Sequence, residues 1–128
     1  MSFNHRFDIL LESKLTSPES IHITNEVIGR IESHYQIKLD EENGASLVTH
    51  LAITIKKLLS SEYLNEIPEI CKTEALTFIE EHEFAMELSR FIQNFYQIDF
   101  NQSEIAFLTI HLKNITQHFD RKEGKKEQ

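Results

Sequence analysis

"YQIKLDEENGASLVTHL" (residues 35–51) lies over "YQIDFNQSEIAFLTIHL" (residues 96–112) without a gap, sharing Tyr, Gln, Ile, Ala, Leu, His and Leu. Each stretch reads as the end of one helix, a short extended connector ("QIKL", "QIDF"), a capping residue and a new helix. Asp40 faces Asn101, and both are residue types whose side-chain oxygen accepts from an unpaired N–H at a helix start. Ile31 also matches Ile92 upstream. Two such units with shared apolar positions pack as pseudo-symmetric halves of one core. The spacing therefore predicts an all-α fold, a five- to six-helix bundle with a pseudo-duplicated helix–connector–helix unit.

The rest of the chain fits that architecture. Residues 4–14 suggest a short first helix carrying Phe7, Ile9, Leu10 and Leu11. Ser17 then caps a second helix with Pro18 at its first position, running to about Tyr35 with Ile23, Val27, Ile28 and Ile31 at helical spacing. Asp40 opens a third, where Glu41 and Glu42 favour the positive end of the helix dipole; its stripe is Leu47, Val48, Leu51, Ile55, Leu58 and Leu59. Residues 60–68 read as a loop with room for one helical turn. A long helix is expected from about Glu74 to Tyr96, with a bend near "EEHEF" and with Leu76, Ile79, Phe84, Leu88, Phe91, Ile92 and Phe95 facing inward. Asn101 or Ser103 caps the last helix, whose stripe is Ile105, Leu108, Leu112, Ile115 and Phe119.

Composition agrees and excludes several classes. The 128 residues suit one domain, and 40% apolar with 27% charged residues is ordinary for a globular protein. Only three Gly and two Pro leave few tight turns, against a β sandwich or barrel. A net charge of −8 repels phosphate backbones, so no direct nucleic-acid binding is expected. The mixed tail "RKEGKKEQ" (121–128) reads as a frayed end. Cys71, the lone cysteine, offers neither a disulfide nor a metal clamp and reads as a small buried apolar side chain. The first residues hold no signal-length apolar run, so a cytoplasmic protein with no membrane segment is expected.

The repeated histidines are the chemical feature. At 100° per residue, His50 sits about 60° round from Leu47, as His111 does from Leu108. Both lie at the rim of the apolar stripe, where an imidazole rests on hydrocarbon and still presents a nitrogen to solvent. That position suits a reactive histidine, and it equally suits a structural one.

At these residues the sequence resembles a known family. "THLAITIKKL" is similar to the first histidine motif of the bacterial PTS regulation domain, and "SEIAFLTIHLKN" to its second, with Glu104, Ile105, Phe107 and His111 in family spacing. "EFAMELSRFIQNFYQIDFNQSE" also fits that domain's central helix and connector. The resemblance covers residues 21–118, leaving 1–20 as an N-terminal helix and linker and 119–128 as a flexible tail. It implies an α-helical, commonly dimeric domain of transcription antiterminators and activators. Its histidines receive phosphoryl groups from the phosphocarrier HPr or an EIIB component of the sugar phosphotransferase system. Carried over, the phosphoacceptors are His50 and His111, with Lys56, Lys57 and Lys113 as candidate phosphate neighbours. The length before Ile21 leaves no room for an RNA-binding or helix-turn-helix domain, so a stand-alone module acting through a regulator protein is expected.

Three positions depart from the family pattern. Thr49 stands where many members carry Asp before the first histidine. Lys57 stands where Arg is common, keeping the charge but losing the bidentate fork that grips phosphate. Ala106 replaces a frequent Gly. Phe107 and Ile110 lie off the main stripe beside His111, where the first repeat has Ser46 and Thr49. They are the candidate interface residues for a homodimer or partner whose packing shifts on phosphorylation.

Competing chemistries find little support. Zinc needs at least three protein ligands, and no HxxxH or HExxH adjoins either histidine. His82 and Glu83 are expected to face water, and His5, His22, His34 and His118 are scattered. No Gly-rich phosphate loop, nucleophile elbow or pair of catalytic carboxylates appears, so neither an enzyme nor a cofactor is expected. The alternative is a helical dimerisation or interaction module that is never phosphorylated.

Overall fold

The computed structural model describes residues 3–62 and 67–127, with side chains described as far as Asp120. Six helices carry the described chain: α1 (Asn4–Glu12), α2 (Pro18–Tyr35), α3 (Glu41–Leu59), α4 (Glu69–Thr77), α5 (Ile79–Tyr96) and α6 (Gln102–Glu127). Among the described residues there is no strand. The helices form two compact units that divide between residues 64 and 65, α1–α3 in the first and α4–α6 in the second.

In the first unit α2 starts as its sequence dictates. Ser17 Oγ accepts from Ser20 N at 3.2 Å, and Pro18 occupies the first helical position, where no amide donor is needed. Ile23, Val27 and Ile31 repeat every four residues, are fully buried, and pack α2 against α3, whose Leu47, Val48, Leu51 and Ile55 are likewise sealed. The start of α2 is also pinned: Thr16 Oγ1 and Ser20 Oγ both donate to the Ala52 carbonyl, at 2.8 and 2.6 Å. Short α1 lays Phe7 and Leu10 against α3, while Ile9, expected with them, is 51% exposed. Ile9 lies about 200° round from Phe7, so a helix this narrow cannot bury both.

The two connectors are built alike. Gln36 closes α2 in the left-handed region, its N–H on the Glu32 carbonyl, and its side-chain amide donates to Ser33 O at 2.7 Å. Gln97 closes α5 in the same way, with N–H on Gln93 O at 2.9 Å and the side chain donating to Asn94 O at 3.3 Å. Leu39 and Phe100 then anchor each connector in its own core. Asp40 makes a full capping box, accepting from Glu42 N and Asn43 N while Asn43 Oδ1 accepts from Asp40 N at 2.9 Å. Asn101, rather than Ser103, caps α6, its Oδ1 accepting from Glu104 N at 2.8 Å.

The second unit differs from expectation in one respect. The helix expected from Glu74 to Tyr96 is two helices, α4 and α5, broken at the single residue Phe78 (φ −91°, ψ 72°) rather than bent at residues 80–84. Thr77 Oγ1 donates to the Glu74 carbonyl at 2.6 Å, competing for the acceptor that Phe78 N–H would use to continue the helix. Phe78 N–H bonds Ala75 O instead, a tighter turn that ends α4. The break resets the faces: Leu76 and Ile79, expected inward, are 62% and 67% exposed. Phe84, Leu88, Phe91 and Ile92 are buried as expected, whereas Phe95, in the last turn, is exposed with its ring 5.0 Å from that of Phe91. Along α6, Leu108, Leu112 and Ile115 are buried, and Ile105 and Phe119 half-buried. Cys71 is half-buried rather than sealed. The helical turn allowed within 60–68 falls partly on residues 63–66, outside the described ones.

Candidate functional site

His50 lies in the middle of α3, half-buried, and its Nε2 is 3.2 Å from Oγ1 of Thr54, one turn on. Thr54 is itself buried, so the contact ties one edge of the imidazole to a hydroxyl fixed by the core. The tautomer decides which of the two donates. On the other side, the residue before His50 is held by α1. Arg6 Nη1 donates to Thr49 Oγ1 at 2.9 Å, while Arg6 Nε and Nη2 fork onto the Glu41 carboxylate at 3.0 and 2.6 Å. Hydrogen bonding to Glu41 raises the Arg6 pKa above its ordinary value, and the same bond lowers that of Glu41. With side-chain exposures of 33% and 48%, this pair is screened by water and salt and contributes little to stability.

His111 occupies the equivalent place in α6, also half-buried, with its ring tilted over Phe107 one turn earlier at a centroid distance of 4.4 Å. The position after it that matches Thr54 is Ile115, a buried aliphatic. The twin histidines thus share a helical address but not a neighbourhood: one has a hydroxyl at the following turn, the other an aromatic ring at the preceding one.

The candidate phosphate neighbours divide by geometry. Lys57, seven residues after His50, lies on the same face of α3 about two turns along. Lys56 points elsewhere and pairs with Glu62 at 3.0 Å. Lys113 stands about 200° round from His111, and its ammonium lies 5.5 Å from the ring centroid of Phe78. His118, on the His111 face two turns along, holds the position that Lys57 holds in the first repeat; its Nε2 is buried without a hydrogen-bond partner. Phe107 and Ile110 are both half-buried.

The family model of the PRD domain matches residues 25–115. The chain belongs to the PTS regulation domain family. That match spans α3, α4 and α5 whole, together with most of α2 and the first half of α6, and includes both histidines. Comparisons with curated proteins and with solved structures give no match. PTS regulation domains are regulatory rather than catalytic. Among the described residues no group of three or more His, Cys, Asp or Glu could hold a metal ion, and no helix is long and apolar enough to cross a membrane.

Sequence reading located both histidines but missed Arg6 and Thr54. Arg6 reaches residues 35 and 43 positions away in sequence, which no local pattern encodes. Thr54 was legible, since i,i+4 side chains on a helix are neighbours.

Proposed function

We propose that this PTS regulation domain is phosphorylated on His50 and His111 by the sugar phosphotransferase system, through the phosphocarrier HPr or an EIIB component. The observation that carries this reading is the placement of two half-buried histidines at matching positions of twin helical units within one family match. In the transfer, a lone pair on an imidazole nitrogen of the acceptor attacks phosphorus on the donor phosphohistidine. The new N–P bond forms as the donor N–P bond breaks, and the donor ring keeps the departing electron pair. No catalytic group is required of the acceptor beyond a neutral ring that the donor can reach.

Each transfer adds close to two negative charges near pH 7, on a chain whose net charge is already −8. Such a charge either meets a cation or repels the acidic surface it lies on. Function then follows as a shift in protein–protein contact, with a second copy or a regulator protein as partner, which modulates transcription in the cytoplasm where the donors reside. Beside His111 the surface that would respond includes Phe107 and Ile110.

A second reading, an interaction module that is never phosphorylated, draws on the exposed apolar side chains Ile70, Leu76, Ile79 and Phe95. One experiment separates the two. Purified protein is incubated with phosphoenolpyruvate, Enzyme I and HPr, with and without EIIB, and the sites are located by mass spectrometry in wild type, His50→Ala and His111→Ala. Label on His50 and His111 that each substitution removes from its own site supports phosphorylation. Unlabelled protein, or label that persists in the double variant, leaves the interaction module.

A further inference from the structure

α1 carries one side chain into the neighbourhood of His50, and nothing in the family match accounts for it, because the match begins at residue 25. Arg6 leans across α3 and bonds Thr49, the residue that adjoins His50, at 2.9 Å. Its Nε and Nη2 are taken by the carboxylate of Glu41, eight residues before Thr49 on the same helix. The guanidinium is thereby held beside the turn that contains His50.

A guanidinium has five N–H donors, and the bonds described occupy three. Two N–H donors remain, one on each terminal nitrogen, and guanidinium donors of this kind suit the oxygens of a phosphoryl group. The carboxylate in the side fork is a single negative charge, half-exposed, whereas a phosphoryl group carries nearly two. A shallow cavity of about 210 Å³ opens beside the guanidinium, lined by Arg6, His5, Ile9, Leu10 and Glu41, so the cation is approachable. The charged or titratable groups around the Arg6–Glu41 pair include His5 and Asp40, which act on Glu41 in opposite senses, with Lys57 further along the His50 face.

We infer that Arg6 is the phosphate-binding residue of the His50 site: once His50 is phosphorylated, the guanidinium grips the phosphoryl oxygens and loosens from Glu41. The inference rests on phosphorylation of His50 as proposed above. α1 supplies the planar fork that Lys57 lacks, and α1 docking becomes sensitive to the state of His50.

The test uses the full chain in a His111→Ala background, labelled on histidine with phosphoramidate, so that it needs no phosphotransferase. The phosphorus resonance of phosphorylated His50 is assigned by its loss in His50→Ala and titrated against pH. A neighbouring guanidinium favours the dianion, so Arg6→Gln is expected to raise the phosphoryl pKa by about 0.5 unit or more. Glu41→Gln removes a competing negative charge while leaving Arg6 in place and is expected to lower it. Circular dichroism melts confirm that each variant folds, and the Glu41→Gln arm keeps the test valid if Arg6→Gln does not. Titration curves for both variants that superimpose on the parent overturn the inference, as does a His50 that phosphoramidate never labels. A shift seen with phosphoramidate label when HPr and EIIB fail to label His50 upholds Arg6 as a phosphate binder while removing the proposed donor.

Discussion

Gln36 and Gln97 end α2 and α5 with the same left-handed turn, at φ 56° and 55°, and each folds its amide back onto the carbonyl three residues earlier. Glycine is the usual residue at such a position, and a side chain there costs roughly 1–2 kcal/mol. The amide bond offsets part of that cost. Gln36→Gly is therefore expected to change stability by less than about 0.5 kcal/mol, relief of backbone strain cancelling the lost hydrogen bond and the added chain entropy. Gln36→Val keeps the strain, adds β-branching and loses the bond, and should cost about 1–2 kcal/mol. Urea unfolding measures both.

Two glycines inside helices should respond oppositely to a methyl group. A Cβ on Gly29 would meet nothing within 4 Å, so Gly29→Ala is expected to gain about 0.5–1 kcal/mol from helix propensity. A Cβ on Gly44 would lie 3.3 Å from both Leu39 Cβ and Phe3 Cζ. The α3 start is packed too closely there to yield freely, and Gly44→Ala should forfeit that gain. Thermal melts of the two variants against wild type check the contrast.

The Arg6–Glu41 pair sets a pH dependence whose sign is fixed. The folded pKa of Glu41 is depressed by its hydrogen bond to Arg6. Its contribution is therefore fully present above the ordinary glutamate value of about 4.3 and fades as pH falls through the lower folded value. Glu41→Gln should remove this part of the acid limb and leave stability at pH 7 almost unchanged, because exposed pairs contribute well under 1 kcal/mol. Added salt should shrink the difference between wild type and variant. Denaturant titrations between about pH 3 and pH 7 read both effects.

Phe107 and His111 touch ring to ring, so their stacking is separable from burial. A double-mutant cycle with Phe107→Leu and His111→Ala is expected to give a coupling energy of about 0.5–1.5 kcal/mol. A coupling near zero would mean that the aromatic face does nothing to orient the imidazole. The cycle needs only equilibrium unfolding of four proteins.

The helix starts and the repeat were legible because their signals are local. Ser17–Pro18, Asp40 and Asn101 each carry the oxygen, or the missing donor, that a first turn requires, and all three act at the expected places. The strict four-residue spacing of Ile23, Val27 and Ile31 dictated a buried face in the same way. The break at Phe78 was not legible, since neither Gly nor Pro marks it; a threonine hydroxyl competing for one carbonyl decides it. Leu76 and Ile79, on either side of that break, face outward, and the first helix of the second unit begins further upstream, at Glu69 after Pro68. At the candidate site the histidines could be found by alignment of the chain with itself. The guanidinium beside His50 could not, because charge pairing across 35 residues leaves no periodic trace.

The family signature opens at residue 25, inside α2 and one turn beyond Ser20. A truncation made at that border would remove the Ser17 cap and both hydroxyls that clasp the Ala52 carbonyl. It would also strip away Phe7 and Leu10, baring the flank of α3 that they cover. Arg6 would go with them. The scaffold that His50 needs is therefore longer than the matched segment, and a trimmed fragment would report on a ring without the guanidinium beside it.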